Sequence, residues 1–462
     1  MSKKPRSQGP SPTETFADFA SSLTVDAITP KAKAKAYDML LDFTGLCVAA
    51  RREDYVKAVA DTWDGEGGCT ALGHVKGFDA AGAAVVNGTA AHGEDYDDTF
   101  EGTPMHAGTP AIAATLAACE RYGLSGADAL RGIVAGAELM CRLALVAQTT
   151  VHRAGFHPTA VIGTLGTTAA VGTALGLPAK EITNALGVAG SLASGIIEYL
   201  AEGTWTKRLH PGWSAQSGLR AAQMGRGGFL GPRTVLEGEH GFFFAFGDPN
   251  HDYDFSPITK DLGSKLLMEG VAFKPYACGT MTQPFIDCAI KLAKDGVDSK
   301  KIKSVIARVG EGTVHRLWEP VAEKQKPTTP YSAKFSGAFC VAIGLIDKAA
   351  GLKQFTEART AAPEALELAG KINYEIDPND EYPKNYSGHL IVTMEDGSVH
   401  EVRQPHLRGG VREPLSRTEL EAKFTANVTF GGWTEAQAEA LKSWCSDLFE
   451  KPDLAGLKAF RV

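Results

Sequence analysis

Apolar positions recur at three- and four-residue intervals through the first half of the chain. After Pro30, a residue suited to a first helical position, Tyr37, Leu40, Leu41, Thr44, Cys47 and Val48 fall on one stripe. The same period marks helices over 107–122, 126–147, 160–175 and 180–194, and the pattern stays helical from about Thr13 to Gly228. Small residues crowd these segments, among them Gly163, Gly166, Ala169, Ala170, Gly172 and Ala174. Glycine lowers helix propensity, but small side chains let neighbouring backbones approach closely, which implies a tightly packed bundle.

The pattern changes after about Leu262. Residues 301–309 read as a strand with an imperfect apolar period. Residues 371–376 alternate cleanly, with Ile372, Tyr374 and Ile376 on one face and Asn373 and Glu375 on the other. Residues 389–394, the pair Asp396-Gly397 and residues 398–402 read as a hairpin with a primed turn. A helix over 332–349 lies among these strands, and helical periods return over 417–426 and 434–449. The expected fold is mostly α with an α+β second domain. Both chain ends, 14–265 and 404–462, build a large helical domain, and 266–403 form the smaller α+β one. Residues 1–13, rich in Lys, Ser and Pro, read as a disordered tail and not as a signal peptide.

Composition narrows the function classes. At 462 residues the chain exceeds one ordinary core, in keeping with two domains. Hydrophobic residues at 44% and charged residues at 22% are normal for a soluble globular protein. A net charge of −7 argues against a general nucleic-acid binder. No apolar run nears the roughly 20 residues that cross a bilayer, so a soluble, cytoplasmic protein is expected. None of the eight cysteines forms a C-x-x-C pair, and most sit in apolar helical runs, as buried reduced thiols do.

Chemistry concentrates in a few segments. Residues 92–106 hold Glu94, Asp95, Asp97, Asp98 and Glu101 between His92 and His106, with flanks of Ala, Gly and Thr. An acidic run is commonly a solvated loop. Here the bracketing histidines and small flanks suit a site set into a core. His157 precedes Pro158 at the start of a helix, where the macrodipole disfavours imidazolium. Lys207, Arg208 and His210 place three potential cations next to Pro211-Gly212, which reads as a turn before a helix starting near Trp213. Lys274 stands before Pro275, a position that is often an exposed turn, with Tyr276 next. Carboxylates, neutral bases and cations together suit proton transfer on an anionic substrate. The rival is a metal site on His92, Asp95, Asp97, Asp98 and His106, but the zinc spacing of two His flanking a Glu is missing.

These motifs, taken in order, resemble the MmgE/PrpD family. The matching stretches are 87–99 with the shape H-x-x-D-[FY]-D-D-T, 155–166 with G-F-H-P-x-x-V-x-G-T-L-G, 207–212 and 271–274. The family includes 2-methylcitrate dehydratases, cis-aconitate decarboxylases and iminodisuccinate epimerases. The resemblance implies a helical domain with an α+β lid, a homodimer, a di- or tricarboxylate substrate and neither metal nor organic cofactor. The decarboxylases' site residues look like Asp95, Thr99, His106, His157, Lys207 and Lys274. Arg208, His210 and Tyr276 are further candidates for substrate binding.

The expected roles are Lys207 and Lys274 as carboxylate clamps and His106 and His157 as the acid/base pair. Asp95 would orient a partner, and Thr99 would bond a substrate carboxylate. One departure is the context of His106: the family's usual H-P-S is replaced by His106-Ala107-Gly108 after Glu101-Gly102-Thr103-Pro104-Met105. The expectation is a cofactor-independent lyase. An epimerase is the near alternative, and a metal-dependent hydrolase or a non-catalytic carboxylate-binding protein lies outside the class.

Overall fold

Helix starts are where the local sequence speaks most clearly. The computed structural model describes residues 9–462, so most of the expected tail lies outside the described residues. Ser11 and Glu14 form a capping box that opens α1 (Pro12–Ser22) inside the stretch expected to be tail. Thr29 caps α2 (Pro30–Ala50) with Pro30 at its first position. The described residues divide into two compact units. One holds 9–93, Asp97–Val271 and Arg417–Val462; the other holds Glu94–Tyr96 and Ala272–Ser416.

In the first unit α1 and α2 are followed by α3 (Asp54–Thr62), a ribbon of β1 (Glu66–Thr70) and β2 (Gly77–Phe78), and α4 (Ala80–Gly93). Next come α5 (Gly108–Tyr122), α6 (Gly126–Ala147), α7 (Pro158–Ala174), α8 (Ala179–Leu192) and α9 (Thr206–Arg226). Every residue of α4 and α7 is buried. Neither helix has a polar face, so both are interior helices. α7 packs against α5, α6, α8 and α9, and α4 lies on α9 and α5. The helix Arg417–Phe430 returns to α2, where Lys423 Nζ meets Asp42 Oδ1 at 2.7 Å out of water.

Two sequence signals misled here. Pro211-Gly212 is not a turn: α9 begins at Thr206 and runs through both residues. Proline in the second helical turn gives up the bond its N–H would make to the carbonyl of Lys207 and crowds that carbonyl with its ring, yet the helix continues through it. Glycine serves a crossing: a Cβ on Gly88 would lie 2.5 Å from Gly212 Cα, and one on Gly212 would lie 2.3 Å from Val85 O. Backbone contact between α4 and α9, not chain reversal, is why that dipeptide is small. The β1–β2 ribbon was not foreseen, because Gly67-Gly68 carries no alternation.

The second unit carries β3 (Ile302–Val309), β4 (Ile372–Ile376), β5 (Gly388–Met394) and β6 (Val399–Gln404) in the order β4-β3-β5-β6. β3 and β4 are parallel, with Val305 opposite Ile372, and the other two pairs are antiparallel. Val305, Ala307 and Val309 share a core with Leu390 and Val392, with Phe285 and Leu292 of α10 (Gln283–Lys294), and with Val341 and Leu345 of α11 (Gly337–Asp347). The register slips between Ile302 and Ser304. That irregularity brings Ile302 into the same core and explains the imperfect period of β3.

The helix expected over 332–349 is broken, because Ser336 caps a new start after the short turn Pro330–Ala333. The hairpin turn is not of the primed type. Gly397 alone has positive φ (85°), and its N–H bonds Met394 O, a turn closed by a left-handed glycine. Among the described residues no helix is long and apolar enough to cross a membrane. All eight cysteines are buried and unpaired.

Candidate active site

Four elements of the first unit deliver imidazoles to one place. His92 ends the interior helix α4, His106 stands just before α5, His157 is the N-cap of α7, and His210 lies on the second turn of α9. Ring centroids are 4.8 Å apart for His92–His106, 5.7 Å for His92–His157, 6.4 Å for His106–His157 and 5.2 Å for His157–His210. All four are buried. Burial disfavours charge, so the fold must either pair these rings with anions or keep them neutral.

Asp97 pairs two of them. Its Oδ2 lies 2.8 Å from His92 Nδ1 and accepts the Thr109 hydroxyl at 2.8 Å, and its Oδ1 is 3.3 Å from His106 Nδ1. The closer partner of His106 Nδ1 is the Asp98 carbonyl at 2.6 Å. A carbonyl only accepts, so His106 carries its proton on Nδ1 and leaves the Nε2 lone pair available. The His106 backbone N–H is held by Thr159 Oγ1 at 3.1 Å. Burial pushes Asp97 up, but His106 and His92 together outweigh it and hold the carboxyl well below the usual range.

Asp98 takes a different part. Its Oδ2 accepts the N–H groups of Ala107 (3.1 Å) and Gly108 (2.9 Å), a cap for α5 supplied from nine and ten residues upstream. Burial and then the neighbouring Asp97 push its carboxyl up to about 7.

His157 and His210 face each other, Nδ1 to Nδ1, at 3.1 Å. One must donate and the other accept, so the two cannot both be imidazolium. Tyr199 closes edge-on over both rings. Burial first, then His210, His92, Lys207 and His106, hold His157 well below its ordinary value. Burial, then His92 and Lys207, lower His210 to about 3. Burial lowers His92 to about 4 against the upward pull of Asp97. The neutral His157 expected from the helix dipole is thus neutral chiefly through burial. Lys207, half-buried on the first turn of α9, lies within electrostatic reach of His92, His157 and His210.

The remaining sequence candidates have other surroundings. Thr99 is buried with Oγ1 3.5 Å from Met105 O. The Arg208 guanidinium stacks on Tyr55, 4.2 Å from the ring centroid. Asp95, Lys274 and Tyr276 belong to the second unit. There Lys274 is no exposed turn residue: it is 3% exposed, and its Nζ bonds Asp95 Oδ1 at 2.6 Å and Asp95 O at 2.8 Å. Lys334 Nζ holds Glu94 in the same way, at 2.5 Å to Oε2 and 2.6 Å to the carbonyl, and Tyr96 donates its hydroxyl to Pro275 O. Asp95 sits at φ 54°, a left-handed conformation that these bonds maintain. The Tyr276 hydroxyl is engaged by Asp287 at 2.6 Å.

Sequence reasoning passed over His92, Asp97, Tyr199 and Lys334 as working members of these clusters. His92 and Asp97 fall within the acidic segment read as a site and within the rival metal set, but neither is given a role of its own there. His92, His106 and His157 each offer a ring nitrogen within 4.8 Å of the other two, a donor set suited to a transition cation. The acidic run suits one less, since Asp98 is engaged by α5 and Asp95 by Lys274.

Neutral imidazoles, one ionised carboxylate and a nearby lysine are groups suited to proton transfer, a combination that fits the class of acid–base enzymes. Comparison with known proteins gives that class a family. The MmgE/PrpD N-terminal domain matches residues 14–254 and the MmgE/PrpD C-terminal domain matches residues 276–448. The chain belongs to the MmgE/PrpD family and is an enzyme of its lyase type. It is 31% identical over 360 residues to the cis-aconitate decarboxylase of Homo sapiens, covering 75% of this chain and 72% of that protein. It is 25% identical over 438 residues to the cis-aconitate decarboxylase of Aspergillus terreus, covering 89% and 88%.

Proposed function

We propose that this enzyme is a cofactor-independent lyase acting on a di- or tricarboxylate, with decarboxylation of cis-aconitate as its reaction. The observation that carries the reading is the meeting of His106, His157 and His210, three buried imidazoles, within reach of the Lys207 ammonium. Decarboxylation breaks the bond from carbon to one carboxylate. CO2 leaves, the electron pair stays on carbon next to a remaining carboxylate, and an acid then protonates that carbon. His106 and His157 are the acid/base pair. Lys207 holds a substrate carboxylate and carries part of the charge that develops, which is usually the largest catalytic contribution. The names of the relatives favour decarboxylation over dehydration or epimerisation.

The altered 101–106 loop makes a panel of substrates the right test. Proton NMR in D2O with cis-aconitate, 2-methylcitrate and iminodisuccinate reads CO2 loss, water loss and α-carbon exchange in one assay. Loss of cis-aconitate, with deuterium entering the decarboxylated product, is expected. Turnover of 2-methylcitrate or iminodisuccinate alone would replace decarboxylation by dehydration or epimerisation, and no turnover would refute the lyase reading on these substrates.

A further inference from the structure

We propose that His92 is a third proton-transfer residue of this site, with Asp97 as the residue that positions it. The inference rests on the acid–base reading above. α4 is buried on every side, and next to its end it carries an imidazole whose Nδ1 is fixed by the ionised Asp97 at 2.8 Å. That bond makes Nδ1 the protonated nitrogen and leaves the lone pair on Nε2. His92 Nε2 is buried and has no hydrogen-bond partner among the described residues. A side chain needed only to anchor Asp97 would require one donor, as asparagine provides. A second nitrogen left unpaired inside the protein is a cost with no structural return. The His92 ring also lies 4.8 Å from His106 and 5.7 Å from His157, among the rings already assigned to proton transfer.

In the step assigned to it, Nε2 accepts a proton from a carbon next to a carboxylate. The C–H bond breaks, an N–H bond forms and the electron pair remains on the substrate as an enolate. In decarboxylation the ring, protonated from solvent, gives its Nε2 proton to the carbon that has lost CO2. The N–H bond breaks, the C–H bond forms with the electron pair that CO2 left behind, and the imidazole is neutral again. Asp97 balances the positive ring in both directions. The other groups that set the His92 charge are His106 before α5, His157 at the start of α7, and Lys207 and His210 on α9.

The test compares wild type with His92→Asn, which keeps a donor for Asp97 but has no ring nitrogen, and with Asp97→Asn. His92→Asn is expected to melt within about 3 °C of wild type. It should lose about 100-fold or more in kcat, the usual range for an acid–base group, with KM changed only a few-fold and one limb of the pH profile gone. Asp97→Asn should move that limb to lower pH, because the anion that stabilises imidazolium is gone. His92→Asn within about fivefold of wild-type kcat, or Asp97→Asn with an unmoved pH limb, would overturn the proposal.

Nitrogen NMR of the histidines in the wild-type protein provides a readout independent of turnover and of variant folding. On saturation with the unreactive propane-1,2,3-tricarboxylate, the Nε2 signal of His92 is expected to move toward the protonated form, and a fixed Nε2 signal would overturn the proposal. If wild type turns over nothing on the panel, the lyase reading fails by itself and the NMR result alone decides the role of His92.

Discussion

The histidine cluster of the helical unit and the segment Glu94–Tyr96 of the second unit are both polar and both largely buried, yet they meet that cost in opposite ways. In the cluster, burial and mutual repulsion keep His92, His157 and His210 uncharged, and the one strong anion, Asp97, is shared between two rings. In the segment, charge is retained and matched, with Lys334 on Glu94 and Lys274 on Asp95. A cluster that gives up its charge keeps lone pairs available and can accept protons. A cluster that pairs its charges has its donors and acceptors filled and holds the backbone, including the left-handed Asp95. The same raw materials leave lone pairs available in one case and fix the backbone in the other.

The largest separation between the two regions should come from acid. The lowered imidazoles would titrate near 6.5 in the unfolded chain. As pH falls below 6.5 the unfolded chain therefore takes up protons that the folded one refuses until about 4 for His92 and about 3 for His210. Stability falls over that window by up to about 1.4 kcal/mol per pH unit for each ring. Asp98, raised to about 7, runs the other way. The folded protein keeps its proton where the unfolded chain releases it, so Asp98 offsets about one of the three rings as pH drops from 7 toward 4. The net is roughly 3 kcal/mol per pH unit at most. Melting temperature should fall steeply between pH 6.5 and 4, and less steeply with a bound tricarboxylate, whose charge favours imidazolium. A Tm that stays flat over this window would show that the rings are not held neutral.

Removing a cation from the paired region comes next. Lys274→Met leaves the Asp95 carboxylate buried without its ammonium, a change that typically costs about 3–5 kcal/mol. The expected outcome is a marked drop in Tm, substantially recovered when Asp95→Asn is added, which removes the charge and tolerates the left-handed backbone. A single variant as stable as wild type would make the pair incidental.

Smaller still, and aimed at function, are two adjacent residues on the first turn of α9. Lys207→Met should fold normally and lose roughly 30- to 1000-fold in kcat/KM, or about 2–4 kcal/mol of transition-state stabilisation. Arg208→Gln should cost about 0.5–1 kcal/mol of stability through lost stacking on Tyr55 and change kcat/KM only a few-fold. Equal losses of activity in the two variants would place Arg208 on the substrate and undo the distinction.

How legible was this in the sequence? Helices with a strong period and a cap were readable nearly to the residue, as at 126–147, where Ser125 and Asp128 box the start. The α+β character of the later chain was readable from alternation in 372–376. What failed was local chemistry with two meanings. A Pro-Gly pair marks a turn unless a neighbouring helix needs the space, and Asp-Gly marks a primed turn unless only the glycine is left-handed. In the site, His106, His157, Lys207 and His210 could be named because each sits in a recognisable motif. His92 could not be separated from its acidic neighbours, because its tautomer, its partner Asp97 and its distance to rings some 14, 65 and 118 positions later are products of packing. Lys274 looked solvated because lysine before proline commonly is, and only its buried carboxylate partner says otherwise.

The crossing of α4 and α9 has an evolutionary consequence. His92 stands one helical turn beyond Gly88, and His210 two positions before Gly212, so the spacing of the two rings is fixed by a pair of glycines that leave no room for one methyl group. Mutational drift at either codon would have to pry the helices apart and would move both rings with them. In the loop 101–106 the restriction is of another kind: a Cβ on Gly102 would meet nothing within 4 Å, and only the left-handed backbone (φ 81°) favours glycine there. Changes in that loop can therefore leave the glycine pair, and with it the spacing of the two rings, untouched: one part of the chain is locked by its neighbours and the other only by its own backbone.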